Sequence, residues 1–210
     1  EYFEADGTEQ GYLVNVVALL SNKLGIELKI KPELSWNESV EGLASGSIQV
    51  LFGANPTEER LKTMSFTDPI YSVPYTVLSR IDGVVQNIGD MRGKHVGYLE
   101  GDAVVQLFVE AYPNLKASAS YYGSQSEALS ALNRREVDAL ITSGGDVVYD
   151  YLFSHPKLKV VANLEEIRSL MTFSSLNANP ALIDILSKAI VCYNTRSEEH
   201  TSELQSRHNL

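Results

Sequence analysis

Apolar positions recur along the chain with two alternating periods. Leu13, Val16, Val17, Leu20 and Leu24 fall at helical spacing, and Gly25 follows where a helix needs a left-handed closing residue. Ile26-Glu27-Leu28-Lys29-Ile30 then alternates apolar and polar, which predicts a strand. Trp36 to Ala44 reads as a short helix ended by Ser45-Gly46, and the mostly apolar run Ile48 to Phe52 reads as a buried strand. Thr57 opens another helix, its hydroxyl placed to cap the N-terminus with Arg60 in the first turn. Val73 to Ser79 is a further strand.

After Arg80-Ile81-Asp82-Gly83 the pattern begins again. A strand over His95 to Leu99 precedes a helix opened by Gly101-Asp102 that bears Val104, Val105, Phe108 and Val109, and Pro113-Asn114 stops it. Ser118 to Tyr122 is a strand, Ser124 to Arg135 a helix, and Val137 to Ile141 a buried strand. A last helix runs from Pro180 to Ile190 and returns to the first series. Strands alternating with helices predict mostly parallel sheets joined by crossover helices, and two such series predict two α/β lobes.

Composition narrows the function classes. The 210 residues are 44% hydrophobic and 21% charged, as in an ordinary globular α/β protein. A net charge of −10 without a basic stripe argues against nucleic acid as a partner. Cys192 stands alone, so no internal disulfide, metal cluster or cofactor is expected.

Residues 196–210 stand apart. They show no periodicity, and Arg196 to Ser206 reads as eleven consecutive codons of a common sequencing-library adapter. They are set aside from the fold as a non-native tail, and His200 and His208 go with them. The remaining chain keeps only His95 and His155 and is still acidic, with 15 basic against 24 acidic residues.

Five stretches in order carry a family resemblance: Gly11-Tyr12-Leu13-Val14-Asn15; Trp36-Asn37-Glu38-Ser39-Val40-Glu41-Gly42-Leu43; Asn55-Pro56-Thr57-Glu58-Glu59-Arg60 with Phe66-Thr67-Asp68-Pro69-Ile70-Tyr71; Asp90 to Gly97 running into Glu100-Gly101-Asp102; and Glu127-Ala128-Leu129 through Val137 to Ile141. Together they resemble the bacterial extracellular solute-binding proteins of family 3. Trp36, Tyr112-Pro113-Asn114-Leu115 and Asn179-Pro180-Ala181-Leu182 look most like the flytrap sensor domains of bacterial histidine kinases and diguanylate cyclases. The resemblance implies a two-lobed α/β fold of the type II periplasmic-binding-protein (Venus-flytrap) kind. It implies a chain N-terminally truncated, whose first strand would precede Glu1. Residues 1–79 would begin the first lobe, 80–168 form the second and 169–195 return to the first.

The resemblance also implies a site. Arg60 matches the family's carboxylate-binding arginine, whose planar fork suits two charge-assisted hydrogen bonds. Trp36 stands where the family packs an aromatic on the ligand, Gly53 and Asn55 where it offers hydrogen bonds at a strand end, and Ser143 near its ammonium-binding carboxylate. Asp102 departs from the family's usual Thr or Ser; it either caps its own helix or faces the cleft and favours an amine. Asp146, three positions beyond Ser143, is the other carboxylate within reach. The expected function is extracytoplasmic binding of a small polar solute, an amino acid or related carboxylate, at the periplasmic or outer face of the bacterial cytoplasmic membrane. The expected partner is a membrane-anchored output module, or the permease of an ABC transporter if the protein is a free binding protein. A flytrap-fold enzyme such as a dehydratase is the third reading, but His95, His155 and Ser143-Gly144-Gly145 form no acid–base or nucleophile set, so no catalysis is expected.

Overall fold

The computed structural model describes residues 2–3, 9–31, 34–143 and 152–191. Asp146 and the tail from Arg196 lie outside them. A short hairpin, β1 (Tyr2–Phe3) with β2 (Glu9–Gln10), leads into α1 (Tyr12–Leu24), which closes on Gly25 at φ 65°. α2 (Trp36–Ser45) starts from a full capping box: Ser35 accepts from the Glu38 amide while the Glu38 carboxylate accepts from the Ser35 amide. β3 (Leu51–Phe52), α3 (Glu58–Leu61) and β4 (Met64–Phe66) follow, with Thr57 accepting from the Arg60 amide at the start of α3.

The second series comprises β5 (Tyr71–Arg80), β6 (His95–Leu99), α4 (Val104–Ala111), β7 (Ser118–Tyr122), α5 (Gln125–Asn133) and β8 (Ala139–Ser143). β9 (Leu158–Met171), β10 (Phe173–Leu176) and a helix over 180–191, here α6, complete the described chain. The strands form a three-stranded sheet in the order β3-β10-β4 and a five-stranded sheet in the order β7-β6-β8-β5-β9.

Period two builds the larger sheet's double core. Val77 and Ile141 face α4 with Tyr75, Val104 and Phe108, whereas their neighbours Leu78 and Leu140 face α5 with Ala128, Leu129 and Leu132. Arg80 at the end of β5 is buried and donates through Nη1 to the Leu132 and Val137 carbonyls, at 2.7 and 3.1 Å. Around the smaller sheet, α1 and α6 pack Val16, Leu20, Leu186 and Ile190 against Phe173.

Three sequence expectations are corrected. Residues 26–30 form no strand: alternation qualifies a segment for pairing, but no ladder reaches it, and it instead borders a cavity of about 660 Å3 with Val50, Phe52, Phe173 and Leu186. The strand expected over 48–52 is confined to Leu51–Phe52 for the same want of partners. The sheets are not mostly parallel: only β6 runs parallel to β7 and β8, while β5 and β10 pair antiparallel with all their neighbours. All of β5 belongs to the five-stranded sheet. β9 and β10 had no sequence expectation at all.

Candidate ligand-binding site between the sheets

The site is assembled from short elements of the three-stranded sheet and one turn of the five-stranded sheet. β3 ends at Gly53, whose φ of 81° turns the chain and whose amide donates to the Thr172 carbonyl at 2.9 Å. Two residues on, Asn55 is buried, with its side-chain amide and its carbonyl hydrogen-bonded. Its Nδ2 donates to the Tyr75 hydroxyl at 2.9 Å, its Oδ1 accepts from the Leu170 amide at 2.6 Å, and its carbonyl accepts from Arg60 Nη1 at 3.0 Å.

Arg60 comes from α3, a helix of one turn held by the Thr57 cap. Its guanidinium lies 4.5 Å from the centre of the Trp36 ring, within cation–π range, and Nη2 donates to the Gly101 carbonyl at 2.5 Å. Trp36 is the first residue of α2 and also packs on Leu43, Leu51 and Met64. From the other sheet, the turn after β6 presents Gly101 at φ 75°. A Cβ there would meet Trp36 Cδ1 at 2.1 Å, so the indole rests against bare backbone.

The Asp102 carboxylate bonds both to the first turn of α4 and to the residues around Arg60. Its Oδ1 accepts from the Val104 amide at 3.0 Å, capping α4, and also from the Tyr75 hydroxyl at 2.6 Å, turning the carboxylate toward Asn55 and Arg60. Burial raises the Asp102 pKa above the ordinary carboxylate range, against the opposing pull of the Tyr75 hydroxyl, the backbone amides and Arg60. Burial likewise lowers that of Arg60, with Asp102, Tyr75 and Glu59 opposing. Burial, then the Asp102 charge, pushes Tyr75 upward and keeps it a neutral donor. Burial thus disfavours the charged form of both groups, and each charge opposes that shift in the other.

Of the six candidate residues, the structure joins Arg60, Asn55, Trp36 and Asp102 in one contact network. Gly53 shapes the turn leading into it, and Ser143 lies opposite Tyr75 in the β5–β8 register. Tyr75 was missed, because a tyrosine inside an apolar strand reads as core; its buried hydroxyl, which must find a partner, was the available signal. The 660 Å3 cavity is a separate feature that touches this site only through Trp36.

The three-stranded and five-stranded sheets, linked by β5 and β9, form a type II periplasmic-binding-protein fold. The chain belongs to the bacterial extracellular solute-binding proteins, family 3, whose model matches residues 1–192. Members of this family bind solutes outside the cytoplasm, and that is the activity and location of this domain. The arginine-binding extracellular protein ArtP of Bacillus subtilis is 28% identical over 154 residues, covering 73% of this chain and 59% of ArtP. The membrane-bound lytic murein transglycosylase F of Aeromonas hydrophila is 28% identical over 141 residues, covering 65% of this chain and 28% of that enzyme. The periplasmic domain of BvgS from B. pertussis superposes with a TM-score of 0.77 at 21% identity, over 90% of this chain and 37% of that structure, a likeness of fold. The chain thus spans less than two thirds of the length of each of these three relatives. Among the described residues, no helix is long and apolar enough to cross a membrane.

Proposed function

We propose that the domain binds a small solute carrying both a carboxylate and an amine, as the sensory module of a membrane-anchored signalling protein. Arg60, Trp36 and Asn55 form the first-lobe side of the site and Gly101, Asp102 and Ser143 the second, with the chain crossing between lobes near residues 70 and 172. The observation that carries this reading is the hydrogen-bonded chain that joins Arg60 to Asp102 through Asn55 and Tyr75, with burial holding both charged groups off their ordinary pKa. A zwitterion would give each charge a partner of opposite sign. The reading calls for binding alone, with Asp102, Tyr75 and Asn55 hydrogen-bonded to one another. The likeness to ArtP supports a second reading, a free binding protein that delivers its solute to a transporter.

Calorimetric titration with a panel of amino acids and small carboxylates tests the site. Arg60→Ala should weaken binding of the panel's best ligand by about 2–5 kcal/mol, the usual penalty for stranding a charged partner. Unchanged affinity removes Arg60 from the site.

A further inference from the structure

The site groups are already satisfied by one another. Arg60 Nη1 holds the Asn55 carbonyl, Asn55 Nδ2 holds the Tyr75 hydroxyl, and that hydroxyl donates to Asp102. The backbone leads from Asp102 to Gly101, whose carbonyl accepts from Arg60 Nη2. The circuit closes through both lobes, with Trp36 wedged against the glycine that completes it. A carboxylate reaching Arg60 must take the place of the Gly101 carbonyl, and an amine reaching Asp102 must compete with the Tyr75 hydroxyl.

We infer that the cleft latches shut without ligand, the Gly101 carbonyl standing in for a ligand carboxylate on Arg60. A solute that engages Arg60 then releases the latch rather than springing it. Ligand-induced change is a matter of differential affinity for two states, and here the protein's own groups already make the contacts that a bound solute would supply. Gly101 is central to this behaviour, because a Cβ there would collide with the Trp36 ring, over which the Arg60 guanidinium lies.

The test needs no ligand, so it stands or falls separately from the identity of the bound solute. The chain is unfolded, dialysed free of small molecules and refolded; acrylamide quenching of Trp36, the single tryptophan, and small-angle scattering are then read. Gly101→Ala should raise the quenching constant about twofold as the half-buried ring is uncovered. Its radius of gyration should grow by about 1 Å over the roughly 17 Å of a compact chain this long. Gly93→Ala is the control: φ is 66° there and a Cβ would meet nothing within 4 Å, so it carries the backbone strain alone and should match the parent chain. Tyr75→Phe, which keeps the ring and removes the link to Asp102, should move both readings in the same direction and serves if Gly101→Ala fails to fold. A parent chain already as quenchable and as large as Tyr75→Phe or Gly101→Ala overturns the inference, as does a Gly93→Ala chain that opens equally.

Discussion

The two sheets solve the burial problem differently. The five-stranded sheet is covered on both faces, by α4 on one and α5 on the other, and Leu78, Leu140, Val77 and Ile141 are fully enclosed. The three-stranded sheet has strands of two to four residues, and beside it the unpaired segment 26–30 borders an apolar-lined cavity. Yet the smaller sheet's side supplies Arg60, Trp36 and Asn55, while the larger one supplies the Gly101 carbonyl, the Asp102 carboxylate and a strand-borne tyrosine. The cation and the aromatic ring come from the loosely packed side, and the carboxylate from the well-packed one.

That division can be broken most strongly in the larger sheet. Leu140→Ala should cost about 2–5 kcal/mol in denaturant unfolding, the range for large-to-small changes at a closed site. Leu28→Ala, beside the existing cavity, should cost only about 1 kcal/mol, because little packing is lost. Equal losses would mean that the smaller sheet packs as tightly as the larger. Next in size is Arg80→Ala, which leaves the buried Leu132 and Val137 carbonyls without their donor and should cost about 1–3 kcal/mol for each group stranded. A value near zero would show that water replaces the guanidinium.

The smallest effect is a pH dependence. Asp102 has a folded pKa raised above its ordinary 3.8, so its stabilising contribution is complete below that value and lost as pH rises through the folded one. The stability of the parent chain relative to Asp102→Asn should therefore fall as pH is raised from about 3.8 through the folded value. A difference that grows with pH would mean that Arg60 and Tyr75 more than offset the burial.

The parts of the fold legible in sequence were those whose partners lie close along the chain. β6, β7 and α5 end where their own residues say, Ser124 capping α5 and Pro113 following the end of α4. β9 was not legible: Lys159, Glu165, Glu166 and Arg168 interrupt its apolar pattern, and its register on β5 shifts twice, at Pro74/Tyr75 and Val77/Leu78. Its strand character comes from the long β5 beside it, not from local alternation. Residues 26–30 show the converse, a correct pattern with nothing to pair with. Arg60 and Trp36 were singled out by motif order, whereas Tyr75 needed the fold, since nothing in Pro74-Tyr75-Thr76 reveals that the ring crosses toward Asp102.

β5 and β9 leave the three-stranded sheet side by side, hydrogen-bonded from the outset at Tyr71–Met171 and Ser72–Leu170. The passage between lobes is therefore a ribbon of two bonded strands rather than two independent tethers. Such a ribbon twists and bends across its thin direction but resists shear between its edges. Motion of one lobe against the other is thereby narrowed toward a single swing, with Thr67 and Thr172, both anchored by hydroxyl hydrogen bonds beside the crossing, as its pins. A substitution that loosens only one strand of the ribbon would give the lobes a second axis, and the swing would lose its direction before it lost its range.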